Sequence, residues 1–132
     1  MNMPLRALVI DDDPAVSELI RLFLRNEPID IEIAGSGQAG IMKAKTTYPE
    51  IIFLDLMLPD MDGRQICEEI RKFSSAPIII ISALDDTNII AQALNKGADD
   101  YITKPFSQNL FLAQIYKLTR WKLLAQISNS YG

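Results

Sequence analysis

Leu5-Arg6-Ala7-Leu8-Val9-Ile10-Asp11-Asp12-Asp13-Pro14 is the stretch on which the fold turns. An apolar run stops abruptly at three acids, and a proline follows. The run has no polar alternation, as expected of a strand covered on both faces. Asp13-Pro14 reads as a helix start, with Asp as N-cap and Pro at the first helical position. Val16, Leu19, Ile20, Phe23 and Leu24 then recur at spacings of three and four, which buries one face of that helix. The stretch is therefore a strand–helix unit with acids at the carboxyl end of its strand.

The same unit recurs outward from it. Ile29, Ile31 and Ile33 alternate with Asp30 and Glu32, the pattern of a strand with one wet face or at an edge. A helix from about Gln38 to Thr47 follows, closed by Tyr48-Pro49. Ile51 to Leu54 is a fully apolar strand ending at Asp55. Asp62-Gly63 opens a helix with Ile66, Cys67, Ile70 and Phe73 inward. Ile78 to Ile81 is another buried strand, ending at Ser82. A helix from about Asp86 to Lys96 stops at Gly97, a C-cap residue. Tyr101 to Thr103 is a short strand before Lys104-Pro105, and Ser107 caps a last helix running to roughly Gln126. The alternation predicts an α/β fold, (βα)5, with a doubly wound parallel sheet of five strands and helices on both faces. The first, third and fourth strands belong in the middle, and the second and fifth at the edges.

In such a sheet the residues just past the strands meet at its carboxyl edge, where open α/β sheets place their sites. These are Asp11, Asp12, Asp55, Ser82 and Lys104. Three carboxylates there repel one another and need a cation, and an all-oxygen acidic cluster suits Mg²⁺. A hydroxyl and an ammonium facing the same point suit a phosphoryl group. Each residue has a plainer reading, as helix cap, turn hydroxyl or surface lysine. Asp13 already fills the cap, so the other acids are surplus to it.

The stretches Val9-Ile10-Asp11-Asp12-Asp13-Pro14, Leu54-Asp55-Leu56-Met57-Leu58-Pro59-Asp60-Met61-Asp62-Gly63, Ile81-Ser82-Ala83 and Gly97-Ala98-Asp99-Asp100-Tyr101-Ile102-Thr103-Lys104-Pro105-Phe106 together resemble a response-regulator receiver domain of two-component signalling. The resemblance implies a flavodoxin-like sheet of order 2-1-3-4-5 and a bacterial phosphorylation-controlled switch. Asp55 would accept a phosphoryl group from a sensor histidine kinase or a histidine phosphotransfer protein. Asp11, Asp12, Asp55 and the backbone carbonyl of Met57 would hold Mg²⁺. Ser82 and Lys104 would bind the phosphoryl group, Tyr101 would turn inward with it, and the Lys104-Pro105 bond would be cis. Met57 and Leu84 would flank the attacking water; both are bulky and apolar, which implies slow self-dephosphorylation. In the winged-helix branch of the family this face carries matched charges, and here the chain departs from it: Ile89, Ile90, Leu110 and Trp121 read instead as an apolar partner face, for a homodimer or a docked partner, through the fourth helix, fifth strand and fifth helix. The protein would be a phosphoacceptor rather than a turnover enzyme.

At 132 residues the chain is one domain, and a hydrophobic fraction of 48% is ample for a core. Residues 1–126 are assigned to the domain, and 127–132 to a tail or the start of a linker to an absent output domain. A net charge of −4 argues against a nucleic-acid surface in this segment. One cysteine, Cys67, permits no internal disulfide and sits in a helical apolar pattern, as a core thiol would. No histidine occurs, which excludes histidine metal sites and triads and a role as histidine donor. No signal peptide or bilayer-length apolar stretch is visible, so a cytoplasmic protein without membrane contact is expected.

Two rival functions follow from the same residues. Gly35-Ser36-Gly37-Gln38-Ala39-Gly40 matches the dinucleotide-binding glycine pattern after a strand, with Asp55 about twenty residues on. Its strand looks like an edge, however, and it leaves the acids, Ser82 and Lys104 unexplained. A phosphatase of the haloacid-dehalogenase type also uses an aspartyl nucleophile after a strand. That chemistry wants an acid two residues later, where this chain has Met57.

Overall fold

The computed structural model describes the backbone of residues 3–131 and the side chains of residues 3–119. Five strands and five helices alternate: β1 Leu5–Ile10, α1 Pro14–Leu24, β2 Ile29–Ala34, α2 Gly37–Thr47, β3 Ile51–Leu54, α3 Gly63–Arg71, β4 Ile78–Ser82, α4 Thr87–Asn95, β5 Asp100–Thr103 and α5 Gln108–Tyr131. All four strand pairings are parallel, and the order is β2-β1-β3-β4-β5. The apolar runs are central and the alternating and short strands are the edges, as their patterns require.

Successive residues of each central strand point to opposite faces, and this splits the core in two. Leu8, Ile10, Ile52, Leu54, Ile78 and Ile80 pack with Ile66, Cys67 and Ile70 of α3 and Ala93 of α4. Ala7, Val9, Ile51, Phe53, Ile79 and Ile81 pack with Ile20 and Leu24 of α1 and Phe111 and Ile115 of α5. The second layer carries an aromatic stack in which Phe111 lies 5.0 Å from Phe53 and 5.3 Å from Phe106 between ring centroids.

Local chemistry sets the helix ends. Asp13, Ser36, Asp62 and Asp86 each accept a backbone N–H from the first turn they cap. At the end of α4 the N–H of Gly97 donates to Leu94 O and that of Ala98 to Ala93 O, the paired bonds of a Schellman stop. Gly97 takes φ +126°, which is why glycine stands there.

Three expectations change. Phe73 does not turn inward: α3 ends at Arg71, so Phe73 leaves the buried face, and it stands exposed with the Lys45 ammonium 5.5 Å from its ring centre. The last helix runs past Gln126 to Tyr131, so 127–131 continue it. Ile90 is only 7% exposed and belongs to the interior, and Ile89 packs on the core beside it. Ile90 thereby drops out of the expected apolar partner face, in which Ile89 is half-buried and Leu110 is 47% exposed. The side chain of Trp121 lies outside the described residues.

Candidate functional site

Backbone pairing just beyond the strands places the site. Ile10 is level with Ala34 and with Leu54, and Leu54 with Ile80. One step further, Asp11 N–H donates to Ala34 O, Asp55 N–H to Ile10 O and Lys104 N–H to Ser82 O. The sheet ladder thus delivers the residues after β1, β3 and β5 to one edge, next to Ser82 at the end of β4.

The side chains then converge. Lys104 Nζ donates to Asp11 Oδ2 at 3.0 Å and to Asp55 Oδ2 at 3.1 Å. The second oxygen of each acid is held by backbone: Asp13 N–H donates to Asp11 Oδ1 and Met57 N–H to Asp55 Oδ1. Carboxylate oxygens of Asp11, Asp12 and Asp55 lie within 4.8 Å of one another. Asp11 and Asp55 are 4% and 7% exposed, while Asp12 faces solvent. Ser82 is buried, its Oγ accepting the Leu84 N–H at 3.2 Å, which leaves its own proton to donate. Tyr101 is half-buried against the core, and its hydroxyl accepts from Thr103 Oγ1. The Lys104-Pro105 peptide is cis. Met57 projects into solvent at 58% exposure, and Leu84 is half-buried.

The electrostatics are unbalanced. Three carboxylates face one ammonium, which leaves two negative charges without a partner. Burial pushes the Asp11 carboxyl above its ordinary value and the charge of Asp55 adds to this, against the pull of the Asp13 N–H and Lys104. Burial alone would push Lys104 down, but its bonds to Asp11 and Asp55 outweigh it and hold the ammonium above its ordinary value. Lone pairs on hard oxygens, excess negative charge and an open side at Asp12 fit a hard dication such as Mg²⁺. Cys67 is buried in the α3 interface with its thiol pushed up to about 12, which removes it as a nucleophile.

The glycine-rich turn before α2 has another use. Asp60 Oδ1 accepts the Gly37 N–H at 2.9 Å and Oδ2 the Gln38 N–H at 3.0 Å, so a carboxylate of the chain itself sits where a dinucleotide phosphate would bind. Gly40 is needed for packing, since a Cβ there would stand 2.6 Å from Ile10 Cδ1. Asp60 spans two elements, and Asp99 accepts from Arg71 and the Ile78 N–H across the opposite edge, roles that the sequence analysis does not assign. No local signal marks either, because their donors lie more than twenty residues away in sequence.

The chain matches the family model described as response regulator receiver domain over residues 7–116. It is 37% identical to the DNA-binding response regulator MtrA of Mycolicibacterium smegmatis over 114 residues, which covers 86% of this chain and 50% of MtrA. It is 40% identical to the response regulator ArlR of Staphylococcus saprophyticus, covering 87% of this chain and 52% of ArlR. The chain thus spans about half the length of these curated relatives. Among solved structures it is similar to a two-component response regulator from Clostridium difficile (TM-score 0.85, 30% identity, 88% of this chain and 96% of that one). It is also similar to the CheX-CheY-BeF3-Mg²⁺ complex from Borrelia burgdorferi (TM-score 0.82, 28% identity, 87% of this chain and 89% of that one). No helix among the described residues is long and apolar enough to cross a membrane.

Proposed function

The chain belongs to the response-regulator receiver family, the signalling proteins of two-component systems, and from that premise we propose that it is a Mg²⁺-dependent switch phosphorylated on Asp55. The observation that carries the reading is the convergence of Asp11, Asp55 and Lys104 at the sheet edge, with Asp12 beside them. Asp11, Asp12, Asp55 and the Met57 carbonyl would hold the ion, which supplies charge neutralisation when bound.

The chain's own residues do the rest. Lys104 already contacts Asp55 and neutralises an equatorial phosphoryl oxygen, and Ser82 donates to another. An oxygen of Asp55 attacks phosphorus on a partner's phosphohistidine. The P–N bond breaks, an acyl phosphate forms, and the electron pair returns to the imidazole nitrogen. The donor is a histidine kinase or phosphotransfer protein, since this chain contains no histidine. The product carries about two negative charges at the edge. Ser82 turns its free hydroxyl proton toward it, and Tyr101, on the adjacent strand, follows; this shifts the population of surfaces around α4, β5 and α5. The domain modifies itself and does not turn over a substrate.

The test is intact-mass labelling by acetyl phosphate with Mg²⁺. The parent should gain one phosphoryl group and Asp55→Asn none. Labelling that survives Asp55→Asn would overturn the assignment.

A further inference from the structure

We propose that Asp60 is a positioning residue for the cation site: it fastens the β3–α3 loop, and with it the Met57 backbone carbonyl, to the N-terminus of α2. This rests on the Mg²⁺ reading above.

The loop leaves β3 at Asp55 and closes on itself. Met57 and Asp62 form an antiparallel bridge, and Gly63 seats on Leu56 so closely that a Cβ would stand 2.6 Å from Leu56 Cα. A loop closed in this way keeps its shape but needs an outside contact to fix its orientation. Asp60 supplies one with both carboxylate oxygens, on the N–H groups of Gly37 and Gln38. These are donors of the first helical turn, which have no intrahelical acceptor, and the helix dipole favours an anion there. Met61 adds a steric contact, since a Cβ on Gly37 would stand 3.0 Å from Met61 Cβ.

The other end of the strut is equally tight. Gly40, one turn along α2, lies against Ile10, the residue before Asp11. Through α2, Asp60 therefore references the loop that carries Met57 to the strand that carries Asp11. The Met57 N–H donates to Asp55 Oδ1, so a loop that drifts disturbs the acceptor carboxylate as well as the carbonyl. The residues that would hold the ion come from the ends of β1 and β3 and from this loop, and the ladder bonds of Asp11 and Asp55 do not fix the loop.

The experiment compares calorimetric Mg²⁺ affinity, thermal midpoint and apo amide exchange in the parent, Asp60→Ala, Asp60→Asn and Ser36→Ala. Ser36→Ala is the matched control, because the Ser36 hydroxyl caps the same helix through the Ala39 N–H rather than through a loop residue. Asp60→Ala should bind Mg²⁺ roughly tenfold more weakly, the usual effect of losing a residue that orients a ligand. Its apo protein should exchange the Met57 amide faster. Asp60→Asn, which keeps one acceptor oxygen, should fall between parent and Asp60→Ala; if the alanine variant does not fold, a loss in Asp60→Asn carries the comparison. Ser36→Ala should lose stability but keep its Mg²⁺ affinity. Parent-like affinity in the Asp60 variants, or equal weakening in Ser36→Ala, would overturn the proposal. A parent that binds no Mg²⁺ would instead overturn the cation reading on which it rests.

Discussion

The two edges of the sheet handle charge in opposite ways. At the amino edge Arg71 is fully engaged: its guanidinium donates to the carbonyls of Gly97, Ser74 and Ala76 and to Asp99. Asp99 in turn accepts the Ile78 N–H, so one cluster closes the ends of α3 and α4 onto the starts of β4 and β5. Arg6 similarly grips Tyr48 O and Glu50. At the carboxyl edge Asp11 and Asp55 share one lysine with Asp12 beside them, and charge is left over. The amino edge pairs its charges within the fold. The carboxyl edge hydrogen-bonds its buried carboxylates but leaves negative charge in excess, which on the proposed reading a bound ion would offset.

The contrast can be broken most directly at Arg71. Arg71→Ala strips three half-buried carbonyls of their donor and Asp99 of its cation, and should cost about 2 kcal/mol in urea unfolding while leaving Mg²⁺ affinity of the folded protein unchanged. A loss under about 1 kcal/mol would remove the claim that this cluster closes the amino edge.

Asp11 should behave in the reverse sense. Its carboxyl is raised above the ordinary 3.8, so its ionised form costs stability at neutral pH, and the cost fades as pH falls through the raised value. Asp11→Asn should therefore raise the thermal midpoint at pH 7 by about 3 °C. It should also weaken Mg²⁺ binding, and the midpoint advantage should shrink in acid. Lys104 has the opposite sign. Its contribution is complete below the ordinary lysine value of 10.5 and is lost as pH rises through the folded value. A destabilised Asp11→Asn at pH 7 would show that the carboxyl edge is not under electrostatic load.

Met57 sharpens the comparison on the smallest scale. It projects, exposed and apolar, beside the acceptor and offers a water no hydrogen bond. Met57→Asn should speed loss of the phosphoryl group about fivefold, the rate equivalent of one hydrogen bond of ~1 kcal/mol. Equal decay in mutant and parent would place the control of lifetime elsewhere.

Much of this was legible from the chain alone. Ile51 to Leu54 is apolar without alternation because β3 is covered on both faces, and Asp55 stands out because a strand ends there. Asp13, Asp62 and Asp86 announce their helices because a cap acts within one turn. Phe73 misled, since the periodic pattern continues past the point where Arg71 ends α3 to close a turn. Ile90 misled because one helical turn can place a residue on the core or beside it, and only the tilt of α4 on the sheet chooses.

What the sequence determined by itself is local or periodic: five strand–helix units, which strands are central, and which residues end them. Those follow from hydrophobic spacing and capping, and both act within a few residues. The strand ends also bring Lys104 to Asp11 and Asp55, but the tertiary structure alone decided the pairs between other elements: Asp60 on the N-terminus of α2 and Arg71 with Asp99. An acid carries no local mark of its partner. The partner is chosen when parallel pairing sets the strands in register and brings separate loops within hydrogen-bond reach.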